Sequence, residues 1–412
     1  MIRSTVAQVD LGALQSNFLA ITEFLKIASI GGGIPQEGGT PARHPDAGPP
    51  MRLPHWGPVA EAALRTPAPP PGVIAVVKAN AYGHGAPRAA LALQEAGAKM
   101  LACADIEEGI VLRSAGVTGE ILIFGALGVS DLAGVFEYNL TPTVSTPSAG
   151  RALNAAAQSR NTRLRYHLKI DTGMNRLGLR YDNLARTLPE LLDRPCLEVA
   201  GVYRHFATAN DPEGQLFAEQ RERFEYVLNT LLPSGFNLRP KLRHAANSAA
   251  MLRDARVWFD LVRPGLLLYG VVPPPLHTTL PLKPVMSLTS RVVSVKGVRP
   301  GEVVGYGALW KATRPSRIAT VPAGYADGLD MRLAGRGHVL VRGRRAPIIG
   351  SVSMDMITVD ITGLQADTGD EVVMIGEQEG ERIGVREMAA AIGTSPYEIL
   401  CRIGTRIERI YE

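Results

Sequence analysis

Cysteine is scarce in these 412 residues: Cys103, Cys196 and Cys401 are odd in number, far apart and without C-x-x-C spacing. That argues against both a disulfide framework and a zinc site, and no metal is expected. No apolar run approaches the ~18 residues of a bilayer-crossing helix, and MIRSTVAQVD lacks the cationic start and apolar stretch of a secretory leader. A cytoplasmic protein without a membrane partner is expected. Nor does one charge dominate: 44 Lys and Arg against 39 Asp and Glu leave +5, spread along the chain, so charge does not indicate a nucleic-acid partner.

At ~150 residues per domain, 412 residues suggest two or three domains. After the strand-like TVAQV, Asp10 stands as a helix N-cap, and Leu11, Leu14, Phe18, Ile21 and Leu25 recur at spacings of three and four, which predicts an amphipathic helix. From 31 to 72, 19 of 42 residues are Gly or Pro, a composition that prevents regular pairing and leaves room for a short helix around Val59 to Arg65. This stretch reads as a flexible insertion. Beyond it, VIAVV, MLACA, EILIF, TPTVS, LRYHLKI, EVAGVY, KLRHAA and FDLVRPG alternate with Ala- and Leu-rich segments of helical length.

Such alternation favours a parallel sheet with helices outside, and eight runs fit a closed barrel; pattern alone leaves a doubly wound open sheet standing. After Pro273 to Pro275 the texture changes to short β-rich segments with Gly turns: SLTSRVVSVKGV, RIATVPAGY, GHVLVRG, MITVDIT and DEVVMIG. The expected fold class is α/β: a (β/α)8 TIM-type barrel over 1–280 with the insertion at 31–72, then a C-terminal mostly-β domain over 281–412.

The most informative stretch is VVKANAYGHG, residues 76 to 85, where Lys78 ends a buried-looking strand before a Gly-containing loop. Barrel enzymes place catalytic groups there, although a lone lysine at a strand end is more often a solvated charge. The segment resembles the pyridoxal-phosphate lysine motif of the bacterial alanine racemases. DTGMNRLG (171 to 178), RHFATA (204 to 209), ANSAA (246 to 250), VRPGLLLYG (262 to 270), VGYGALW (304 to 310), AGYADG (323 to 328) and SVSMD (351 to 355) also resemble that family's segments, in its order. The resemblance covers nearly all the chain except the insertion.

The resemblance implies pyridoxal 5'-phosphate as cofactor and a two-base interconversion of L- and D-alanine that supplies D-alanine for peptidoglycan. A lysine can form a Schiff base with an aldehyde and, once released, serve as a base close to the substrate Cα, so Lys78 is expected as both anchor and base for the D face. Tyr306 is the family's second base, supplied by the other subunit of a head-to-tail homodimer. A phenol of pKa ~10 needs a cationic or hydrogen-bonding neighbourhood to act near neutrality, and His205 and Arg263 are the expected suppliers. Arg263 is expected at the pyridine nitrogen, where Arg donates a hydrogen bond but hardly a proton and so keeps the electron sink weak.

Tyr82, Ser248 and the backbone amides of Gly265 and Leu266 are expected to grip the phosphate. Arg176 and the Met354 backbone amide, the latter from the partner subunit, would hold the substrate carboxylate. Asn247, Tyr325 and Asp355 are expected in support, with Lys169 at a position carbamylated in some members. Two departures stand out: Ser351 replaces an Arg of many members and Thr405 a Tyr of some, which bears on the entrance corridor and one phosphate contact. A broad-specificity racemase is the main alternative. A fold-related amino-acid decarboxylase is disfavoured by Arg263, which stands where an acidic partner is expected. A non-catalytic cofactor carrier is disfavoured by a β domain bearing Tyr306 and Met354.

Overall fold

The computed structural model describes residues 4–31, 69–125, 132–236 and 238–412. Most of the 31–72 insertion, with the helix expected around Val59 to Arg65, lies outside the described residues. β1 (Val6–Val9) leads into α1 (Leu11–Gly31), whose first turn is closed by the Asp10 carboxylate accepting from the Ala13 N–H at 2.7 Å. Leu14, Phe18, Ile21 and Leu25 are buried, as the three-and-four spacing predicts.

The eight apolar runs become eight strands: β2 (Gly72–Val76), β3 (Met100–Cys103), β4 (Glu120–Ile123), β5 (Thr141–Val144), β6 (Leu164–Asp171), β7 (Leu197–Tyr203), β8 (Leu242–Asn247) and β9 (Leu261–Arg263). All their pairings are parallel, in the order β5-β4-β3-β2-β9-β8-β7-β6. Thr143 and Val144 then pair with His167 and Leu168, which joins β5 to β6. That pairing closes the barrel and removes the open-sheet alternative.

Side chains point inward at every second residue of a strand, so the lumen is filled in layers. One end of the lumen is apolar: Ile74, Met100, Ala102 and Leu122 cluster there, with Leu242 and Leu261 against them. Phe124 packs on the same cluster, while two residues beyond Leu242 and Leu261 stand the buried His244 and Arg263, with which the lumen turns polar. A Cβ at Gly201 would lie 2.9 Å from the His167 ring, so glycine is what lets that imidazole cross the lumen.

The C-terminal sheet contains β10 (Met286–Arg291), β11 (Ser294–Val298), β12 (Ser316–Val321), β13 (His338–Val341), β14 (Arg344–Ile349), β15 (Ile357–Asp360), β16 (Glu371–Gln378) and β17 (Glu408–Tyr411). Its order is β11-β12-β15-β14-β13-β16-β10-β1-β17. β1 is thus antiparallel to β10 and parallel to β17. Residues 6–9 belong by pairing with this sheet, and not with the barrel in which sequence order and the expected 1–280 unit put them. Two helices missed at the sequence level, Val385–Ala391 and Pro396–Arg402, pack on each other, and the second packs on the Lys78–Tyr82 turn.

Candidate active site at the carboxyl end of the barrel

A cavity of about 320 Å³ opens at the carboxyl ends of the barrel strands. Lys78, Tyr82, Lys169, Arg176, His205, Asn247, Ser248, Arg263 and Gly265, dispersed over 188 positions of sequence, all line it. Leu266 is buried just behind Gly265. Four of the lining residues are Lys or Arg, and among the described lining residues none is Asp or Glu. A cationic, carboxylate-free cavity suits a ligand of several negative charges.

Lys78 follows β2 by two residues, and Ala79, Asn80, Ala81 and Tyr82 then form one left-handed turn with φ between 52° and 55°. The turn delivers the Tyr82 ring against Tyr269, with centroids 5.0 Å apart, and the Tyr269 hydroxyl donates to the Val76 carbonyl at 2.9 Å. Arg409 Nε, from β17, donates to the Gly83 carbonyl at 3.1 Å, so the C-terminal sheet also holds the turn. Burial, and next the Arg176 charge, lower the Lys78 pKa. Both favour the neutral amine that a nucleophile or base requires.

Arg263 anchors the rear wall. It donates to His244 Nδ1 at 2.8 Å and to the Arg204 and Ala245 carbonyls at 2.8 and 2.9 Å, with His205 Nδ1 at 3.4 Å. The network therefore assigns the His244 proton to Nε2, which donates to His167 Nδ1 at 2.8 Å. The His244 ring stacks on Tyr203 at 4.6 Å, and Tyr203 shares a 2.9 Å hydrogen bond with Thr143. Burial brings Arg263 down to about 10, so it keeps its proton near neutrality. His205 is driven well below its ordinary value by burial and then by Arg263. Of the pair expected to favour a phenolate, His205 can therefore offer a hydrogen bond, and Arg263 alone carries charge.

Asn247 caps the helix Ser248–Arg253, its Oδ1 accepting from the Ala250 N–H at 2.9 Å. Ser248 Oγ accepts from the Gly265 N–H at 2.9 Å and from Leu267 at 3.5 Å, so the neighbour of Leu266 also turns its amide toward that hydroxyl. A Cβ at position 265 would stand 2.3 Å from the Tyr82 hydroxyl, which makes glycine obligatory at this close approach. Hydroxyls, a backbone amide and a glycine cradle meeting beside Lys78 form a donor set that fits a phosphate.

The remaining candidates are elsewhere on this chain. Tyr306 is 79% exposed, Met354 53% and Tyr325 41%, and Asp355 pairs with Arg406 at 2.6 Å. They share one surface, where the Ala326 N–H donates to the Met354 carbonyl at 3.0 Å and a Cβ at Gly305 would lie 3.4 Å from Ser351. Sequence reading missed Tyr203 and Tyr397, which also line the cavity. Strand alternation could have suggested Tyr203, two residues before His205. Tyr397 arrives from the C-terminal domain on a helix whose only local signal is Ser395-Pro396, a cap followed by proline.

The chain matches two family models: "Alanine racemase, N-terminal domain" over residues 61–273 and "Alanine racemase, C-terminal domain" over 285–411. It is 40% identical over 351 residues to an alanine racemase of Symbiobacterium thermophilum, covering 85% of this chain and 93% of that one. It is 44% identical over 347 residues to one from Carboxydothermus hydrogenoformans, covering 82% and 91%. Among solved structures, the alanine racemase of Bacillus anthracis with bound L-Ala-P superposes with a TM-score of 0.84 at 33% identity, covering 100% of this chain and 96% of that one. That of the D-cycloserine producer Streptomyces lavendulae gives 0.85 at 32%, covering 100% and 98%. With both halves matched by their models and the barrel and β domain shared with these structures, the chain belongs to the alanine racemase family and interconverts the enantiomers of alanine.

Proposed function

We propose that this racemase works with pyridoxal 5'-phosphate held by Lys78, in a homodimer whose two active sites are each completed by the other chain. The single observation that carries the reading is a cavity lined by four Lys and Arg, with no Asp or Glu among its described lining residues and with Lys78 at a strand end. Bound there, the cofactor would supply an electron-withdrawing ring that acidifies the substrate Cα–H. Lys78 takes or returns the proton on one face of Cα. Arg263 donates a hydrogen bond toward the ring nitrogen, and Tyr82, Ser248 and the amides around Gly265 hold the phosphate. Arg176 pairs with the substrate carboxylate. The small cavity favours alanine over bulkier amino acids, and the absence of Asp and Glu among its described lining residues disfavours the decarboxylase reading.

The second face needs a second base. Tyr306 and Met354, like Leu309, Met331 and Met356 of the same domain, are exposed large apolar side chains, the kind a partner surface would cover. A second copy of this chain, head to tail, would cover them and bring Tyr306 to the partner cavity opposite Lys78. D-Alanine for peptidoglycan, made in the cytoplasm, is the role this reading assigns. Borohydride reduction followed by peptide mapping should label Lys78; label on another lysine would overturn the assignment.

Lys169 carries a further expectation. Burial, then Arg263 and Arg176, bring its pKa to about 7. Near neutrality it is then a free amine far more often than an ordinary lysine. Attack on CO2 forms an N–C bond, releases a proton and creates a carboxylate that can brace Arg176. Incubation with 13C-bicarbonate should give a carbamate signal that grows from pH 6 to pH 8 and is absent in Lys169→Ala. No signal at either pH means an unmodified lysine.

A further inference from the structure

We propose that Glu108 is a positioning residue for Lys78, its carboxylate clamping the left-handed turn that carries the lysine to the end of the adjacent strand. The inference rests on the assignment of Lys78 above and extends it. Four successive L-residues in the left-handed region, Ala79 to Tyr82, are each disfavoured relative to ordinary backbone, so the turn persists only where neighbours over-determine it. The amide immediately after Lys78 is the first to need a partner, because it opens the turn. Glu108 Oε1 accepts from the Ala79 N–H at 2.6 Å, while Oε2 accepts from the Ala104 N–H at 2.7 Å. Ala104 follows β3 directly and itself lines the cavity.

One carboxylate thus ties the lysine's turn to the strand end beside it. Its own position is fixed in turn, since Asp105 caps the helix Ile106–Ser114 by accepting from the Glu108 N–H at 2.8 Å. Asp105 and Glu108 have capping-box spacing, in which the third-position acid ordinarily returns to the cap residue's own amide. Here it reaches one residue further back and across to the next strand end. The chemistry is specific to a carboxylate, because two N–H donors face two acceptor oxygens. Glutamine would set an NH2 group against one of them, and aspartate is one methylene too short to span both.

Hydrogen exchange of the wild-type holoenzyme gives the first test and needs no variant. The Ala79 and Ala104 amides should be strongly protected, and free exchange at both overturns the clamp. The second test is Glu108→Gln beside Glu107→Gln, an exposed neighbour on the same turn. A displacement of about 1 Å at Lys78 costs roughly 10²-fold in rate. Glu108→Gln should therefore lower kcat by about that factor with KM for alanine unchanged, and should weaken pyridoxal phosphate binding measured by direct titration. Glu107→Gln should match wild type. Wild-type kcat and cofactor affinity in Glu108→Gln, or equal losses in both variants, would overturn the proposal. Failure of borohydride to label wild-type Lys78 would instead overturn the assignment on which it rests.

Discussion

Lys78→Ala and Tyr306→Phe, each nearly inactive as a homodimer, should recover about a quarter of the wild-type rate when the two are dissociated, mixed in equal amounts and reassembled. Random pairing makes half of the dimers mixed. In each mixed dimer one cavity has lost both bases, while the other keeps Lys78 from one chain and Tyr306 from its partner. Removing a general acid or base costs about 10²–10⁴-fold, so the recovered rate stands far above either parent. The expectation follows from the position of Tyr306, 79% exposed and outside the cavity lined by Lys78 of the same chain. If both bases came from one chain, mixing would restore nothing. Demonstrated mixed dimers without activity would therefore exclude the shared site.

The other large effect is expected at Arg263, where Glu would change the chemistry as well as the rate. Arg263 satisfies His244 Nδ1 and the carbonyls of Arg204 and Ala245. Glutamate donates to none of these, and each buried carbonyl left unpaired costs about 1–3 kcal/mol. Lower thermal stability and roughly 10²–10³-fold slower racemisation should follow from the lost donors alone. The informative quantity is partition. A carboxylate beside the ring nitrogen favours its protonation, deepens the electron sink and prolongs the negative charge at Cα. More turnovers should then end in transamination, with the amino group retained on the cofactor and pyruvate released. Arg263→Gln has the length of glutamate but supplies no carboxylate, and isolates that effect. Pyruvate released per racemisation event should rise in Arg263→Glu and not in Arg263→Gln; equal ratios would mean that Arg263 does not face the ring nitrogen.

Much of the site was legible because strand periodicity is local information. A run such as LRYHLKI shows where a strand ends, and a period of two shows that His167 and Lys169 share one face. The family's motif order then named nine residues that now line one cavity. Tyr203 and Glu108 escaped because their partners are distant in sequence. Tyr203 looks like ordinary strand apolarity until Thr143 and His244 stand beside it, and Glu108 looks like a helix-capping acid until Ala79 is within reach.

By itself, the sequence determined the eight runs, the helix begun by Asp10, the change of texture after Pro275 and the chemistry available at Lys78, Arg176 and Arg263. Each of these depends on a residue and its near neighbours. Only the tertiary structure decided that β5 meets β6 and closes the barrel, that β1 crosses to the C-terminal sheet, and that Tyr397 reaches the cavity while Tyr306 of the same chain does not. Those outcomes turn on which buried surfaces and unpaired strand edges satisfy one another across hundreds of residues. Local propensity carries no record of that competition.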